Sequence, residues 1–139
     1  MKSIRILSVA AFCLTLLPGA VLARGKMEEI NNPTINLETK ASAAQIKKGV
    51  KMAVLNRKWN ITNDKGNEFD ADAQQMWGRN RWSAKIHVSI SGKAVTIKYV
   101  SSEALSADGN MIHPTYNKIV GFLESDIPIY VEREVVSSQ

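Results

Sequence analysis

Two histidines, His87 and His113, are the first residues to weigh, because imidazole most often carries general acid–base work or holds a metal. Neither has a His-x-x-x-His, Glu-x-x-His or Asp-x-His neighbourhood, so the sequence offers no metal half-site. His87 falls on the polar side of an alternating stretch and pairs most simply with Asp70 or Asp72 on a neighbouring strand. His113 stands just before Pro114 at a helix start. Asp70 and Asp72 are themselves a carboxylate pair, but glycoside chemistry needs two carboxyls flanking a bond inside a cleft. With Lys85 and Lys98 opposite, they read as a salt-bridged solvent face. No serine sits in Gly-x-Ser-x-Gly or Ser-x-x-Lys, and there is no glycine-rich phosphate loop. Catalysis is not expected, nor is a metal or cofactor.

Binding is the chemistry left. In Trp77-Gly78-Arg79-Asn80-Arg81-Trp82, two indoles and two guanidiniums fall within one turn. Trp and Arg are the side chains most enriched in binding hot spots, and Arg meets carboxylates and phosphates in bidentate fashion. Trp77, Arg79, Arg81 and Trp82 are therefore the expected ligand or partner residues. Tyr99, Tyr116 and Asn117 read more simply as two core rings with peripheral hydroxyls and a local hydrogen bonder near a helix start.

These residues need elements to hold them. Ser42-Ala43-Ala44-Gln45 has capping-box spacing, and Ile46, Val50, Ala53 and Val54 follow at helical intervals, which predicts a helix from Ala43 to Asn56. Gly49 on its inner side would allow close approach to a sheet. From Trp59 the period becomes two. Strands are expected around Trp59–Thr62, Phe69–Gln74, Trp82–Ile90 and Val95–Tyr99, separated by turns; a short helix at 69–77 rivals the second, since Asp and Ala are poor strand formers. Pro114 then opens a second helix with the stripe Tyr116, Ile119, Val120, Leu123 and Ile127, and Pro128 is expected to stop it. Ile129-Tyr130-Val131 has strand propensity for an edge. The expected fold is α+β: an antiparallel four-stranded meander with both helices on one face, in the order α-β-β-β-β-α.

The N-terminus sets the compartment. Lys2 and Arg5 precede an apolar run, Ile6–Leu17, too short to span a bilayer, and Pro18-Gly19 and Val21-Leu22-Ala23 follow. Residues 1–23 read as a cleavable signal peptide. The only cysteine, Cys13, leaves with it, and with Phe12 before it no lipid anchor is expected there. The parts expected after cleavage are a flexible lead-in over 24–40 with a short extended piece at Thr34–Leu37, one domain over 41–131, and a frayed tail over 132–139. Losing Lys2 and Arg5 takes the net charge from +5 to +3. That mild excess does not argue for nucleic acid, and no later run is long enough for a transmembrane segment.

Three stretches resemble a group of small exported proteobacterial proteins of unknown function. They are Asn56-Arg57-Lys58-Trp59, Ile97-Lys98-Tyr99-Val100-Ser101-Ser102-Glu103-Ala104-Leu105, and Ile112-His113-Pro114-Thr115-Tyr116-Asn117-Lys118-Ile119-Val120-Gly121-Phe122-Leu123. Members of the group usually have Gly where Lys58 stands, often Asn at Ala104, and Trp at Ile119. The resemblance implies an exported location and a shared fold over Ile46–Ile127, and carries no activity with it.

Together these readings lead to an exported, non-catalytic binding or envelope-associated accessory protein, periplasmic or secreted. Its expected partner is an anionic envelope component or a periplasmic protein. The alternative is a subunit or inhibitor that acts through protein–protein contact in a periplasmic assembly.

Overall fold

The structure is a computed structural model. It describes residues 26–77 and 79–139, with Met76 and Trp77 described through their backbone alone. The expected leader 1–23 and Gly78 lie outside the described residues. In chain order the elements are β1 (Glu28–Glu29), β2 (Thr34–Asn36), α1 (Ala43–Asn56), β3 (Asn60–Thr62), β4 (Glu68–Trp77), β5 (Asn80–Ser91), β6 (Ala94–Glu103), β7 (Met111–Ile112) and α2 (Pro114–Ser137).

The protein is α+β with two helices and an antiparallel sheet, but the sheet has five strands, not four. Its order is β2-β6-β5-β4-β3, and β1 and β7 form a separate two-stranded ribbon. The fifth strand comes from the segment expected to be a loose lead-in. Thr34, Ile35 and Asn36 pair with Thr96, Val95 and Ala94, and Ile35 and Leu37 are buried. β4 is a strand despite its Asp and Ala content. Phe69, Ala71 and Ala73 are buried on its inner side, while outward Asp70 accepts from Asn63 and pairs with His87, and Asp72 faces Lys85. Satisfied carboxylates outside and burial inside outweigh weak strand propensity.

α1 has the capping box its sequence predicts. Ser42 N–H donates to Gln45 Oε1 at 2.8 Å, and Gln45 N–H donates to Ser42 Oγ at 3.2 Å. Its buried stripe is Ile46, Gly49, Val50, Ala53 and Val54. Gly49 meets the other helix, not a sheet: a Cβ there would lie 2.6 Å from Val131 Cα.

α2 does not stop at Pro128. It runs on to Ser137, so Ile129–Val131 is helical and not an edge strand, and the expected frayed tail is helix as far as Ser137. The apolar stripe explains this, because Tyr116, Val120, Leu123, Ile127 and Val131 are all buried across the proline. An interior proline costs about 3 kcal/mol. Burial of Ile127 and Val131 returns roughly 1.5–3 kcal/mol each. Beyond the proline, Lys48 Nζ sits 2.7 Å from Glu134 Oε2 and holds the last turns against α1.

The core lies between sheet and helices. Trp59, Phe69, Trp82, Ile86, Val88, Val95 and Ile97 meet Ile46, Val50, Val54, Val120, Leu123 and Ile127, with Tyr99 and Ile119 half-buried at its margin. No helix of the described residues is long and apolar enough to cross a membrane.

Lys58, with φ +65°, and Ala104, with φ +58°, take the left-handed conformation that Gly and Asn tolerate best. At the end of α1, Lys58 N–H donates to Leu55 C=O and Trp59 N–H to Val54 C=O. This is a Schellman termination with lysine in the place glycine usually fills.

Candidate functional site

The long β4–β5 hairpin overhangs the short β3, and the first turns of α2 stand off from its inner surface. Between them lies a trough of about 770 Å³ lined by Gln75, Trp82, His113, Pro114, Asn117, Lys118, Ile119, Phe122 and others. It continues, past the shared Gln75, Trp82, Ile119 and Phe122, into a recess of 160 Å³ against Lys58, Trp59, Ala73 and Gln74. An apolar hollow with a few convergent polar groups is the ordinary form of a ligand site.

Each wall has a local cause. Trp82 lies two residues inside the hairpin end, paired with Gln75, and alternation turns it inward with Ala84 and Ile86. Phe122 is 39% exposed on α2, and the Arg57 guanidinium stacks 4.5 Å from its ring centre. Arg57 is fixed there by Asp126, with Nε donating to Oδ2 at 2.6 Å and Nη2 donating to Oδ1 at 3.1 Å. The Arg57 hydrogen bonds and charge hold the Asp126 carboxyl below its ordinary range.

Asn117 is the residue the sequence most understated. It is not a local hydrogen bonder. Its Oδ1 accepts from Asn31 N–H at 2.9 Å, and its Nδ2 donates to Glu29 C=O at 2.8 Å and to Glu28 Oε2 at 3.0 Å. It thereby straps residues 28–31 to α2 and closes one end of the trough with Glu28.

The expected Trp/Arg cluster does not assemble at the hairpin end. Trp77 pairs with Asn80 at that end. Arg79 and Arg81 are exposed, but Trp82 is only 5% exposed and faces the core. Arg81 and Trp82 are adjacent on one strand, so they fall on opposite sides of the sheet. Trp82 keeps its candidacy as the inner wall of the trough; Arg79 and Arg81 stand apart from it. The Trp77 side chain lies outside the described residues.

The other candidates are structural. His87 Nδ1 lies 2.8 Å from Asp70 Oδ1, the expected cross-strand pair. His113 caps α2, its Nδ1 accepting from Thr115 N–H at 3.2 Å. Tyr99 Oη pairs with Ser102 Oγ at 2.8 Å. Tyr116 is wholly buried, hydroxyl included, which corrects the peripheral placement; its ring meets Tyr99 edge-on at 5.2 Å. Its hydroxyl has no hydrogen-bond partner among the described residues.

Sequence reasoning missed Lys58, Gln75, Lys118 and Phe122 as parts of a site. Lys118 and Phe122 share a face of α2 at i, i+4, but Lys58 follows α1 and Gln75 lies on β4, and no spacing along the chain links these three places. The one usable signal was Phe122, an aromatic off the helix stripe, where solvent would be expected. Neither a protein-family model nor a curated protein matches the chain.

Proposed function

We propose that this is an exported, non-catalytic binding module of the cell envelope, and that the trough between α2 and the β4–β5 hairpin is its recognition surface. One observation carries the reading: a large, preformed apolar hollow bounded by Trp82, Ile119 and Phe122, with Lys58 and Lys118 at its margins. The outer face of the sheet carries only a smaller, polar hollow of about 420 Å³, where Asp72 faces Lys85, while Asp70 beside it is engaged by Asn63 and His87. The basic-start, apolar and small-residue order of residues 1–23 supports export.

A photocrosslinking amino acid placed at Lys118, and separately at Lys65 on the far turn, tests this in intact cells. The reading expects a discrete adduct from position 118 and none from 65. Equal labelling from both, or from neither, overturns it. Exported protein should begin at Arg24.

A second reading, a subunit of a periplasmic assembly, is favoured by the outer side of α2. Ile129 and Val136, seven residues apart on its later turns, are exposed there and line an apolar hollow with Pro128. In that reading the contact is helical, because the tail is not a strand.

A further inference from the structure

The trough opens along one side onto an unfinished sheet edge. Ile90 N–H donates to Asn67 C=O, which turns Asn67 and every second residue after it toward β5. The register runs without a break to Trp77 opposite Asn80, so the alternation holds to the hairpin end. Glu68, Asp70, Asp72, Gln74 and Met76 therefore direct their backbone groups the other way. Thr62 and Asn60 lie opposite Asp70 and Asp72. β3 reaches no further, because the left-handed turn at Lys58 carries the chain away into α1. Gln74 and Met76 are left with outward N–H and C=O groups that have no partner among the described residues.

We propose that this edge is completed by an extended, acidic peptide segment of a partner protein, lying antiparallel to β4 and paired with Gln74 and Met76. The proposal rests on the trough being the recognition surface. A strand in that position continues the line of β3 and sends alternate side chains into the trough, over Trp82, Ile119 and Phe122. Its C-terminal end arrives at Lys58. Charge complementarity selects the acidic occupant. Arg57 is paired with Asp126, whereas Lys58 and Lys118 make no ion pair among the described residues. The one carboxylate lining the trough, Glu28, keeps its charge at the Asn117 end, so the excess is positive and lies where the strand's C-terminal end arrives. A sugar or acyl chain would fill the hollow but leave the repeated N–H and C=O groups unpaired; a peptide backbone has donors and acceptors at the strand's own repeat.

The probe is a synthetic library of random heptapeptides with free C-termini, selected on the folded protein. Expected survivors alternate apolar residues and carry an acidic residue or the free carboxylate at the C-terminal end. The best survivor should slow amide exchange at Gln74 and Met76. N-methylation at its two edge-facing positions should weaken it about tenfold or more, the worth of two hydrogen bonds. Lys58→Glu should weaken it several-fold while the circular dichroism spectrum stays that of the wild type. Survivors that bind the trough without protecting Gln74 and Met76, and tolerate N-methylation, overturn the strand pairing and leave the trough reading standing. Absence of any survivor overturns the proposal, and if position 118 also gives no adduct in cells, the trough reading falls with it. Dimers formed through β4 in concentrated protein would make a second copy the occupant and equally overturn it.

Discussion

Replacing glycine by alanine in a helix is usually worth about 1 kcal/mol of added stability, since Gly loses more backbone entropy on folding. The two helices here give that substitution opposite signs. At Gly121 in α2, a Cβ meets nothing within 4 Å, so Gly121→Ala should gain about 1 kcal/mol. At Gly49 in α1, the same Cβ would stand 2.6 Å from Val131 Cα, 2.8 Å from its N and 2.9 Å from its Cγ2. Two of those atoms are backbone and cannot swing aside, so α1 and α2 must part. Overpacking of that kind costs typically 1–3 kcal/mol and occasionally more. Separation would also strain the contact of the adjacent Lys48 with Glu134. Because backbone atoms cannot yield, the upper end of that range, about 3 kcal/mol, applies. After the propensity gain, Gly49→Ala should still lose about 2 kcal/mol, leaving the two variants about 3 kcal/mol apart. Urea denaturation reads this directly: with a slope of roughly 1.5 kcal/mol per M, the midpoints should differ by about 2 M. A Gly49→Ala midpoint at or above the wild type would refute the close helix approach, and with it the tertiary support that carries α2 past Pro128.

Three further outcomes are expected. Tyr116→Phe should be neutral or raise stability by up to about 1 kcal/mol in urea melts, because it removes a buried hydroxyl without a partner and keeps the edge-on ring contact. Lys58→Gly should stabilise by about 0.5–1 kcal/mol, as the left-handed cap is relieved of its side chain, while weakening any acidic ligand of the trough. Asp126 and Asp70 have folded carboxyl pKa values below ordinary, the first through Arg57 and the second through Asn63 and His87. Their stabilisation is complete above the unfolded value near pH ~4 and is lost as pH falls through the lower folded values. Urea midpoints should therefore drop below pH ~4, and Asp126→Asn should start lower and converge on the wild type in acid; parallel curves would refute the Arg57–Asp126 role.

The parts legible in the chain were those that depend on short-range period. The capping box at Ser42 and Gln45 and the alternation from Trp82 to Ile90 placed α1 and β5 correctly. The same alternation already put Trp82 inward, and its second role in an exposed tip was incompatible with that phase. Pro128 was misread because a local rule about proline was applied without the helix's tertiary contacts at Gly49 and Glu134. β2 was visible only as a short extended piece, since three residues carry little periodicity until β6 offers them a partner. The trough was beyond reach for another reason: it is a gap left where β3 is short and β4 is long, and a gap has no residues of its own.

The strap at Asn117 has a consequence for the order in which the molecule is assembled. Asn31 and Asn117 are 86 residues apart, so this closure must wait for almost the whole chain, whereas each hairpin of β3 to β6 can form between near neighbours. A chain emerging from N- to C-terminus, whether from a ribosome or across a membrane, leaves residues 28–31 without their anchor until α2 has docked. The end wall of the trough is thus the last part built. Lifting it would break only the Asn117 bonds and the β1–β7 ribbon with its Ile30–Asn110 bond, none of them a pairing of the five-stranded sheet. A partner too bulky for the closed trough could therefore be admitted while the sheet stays whole.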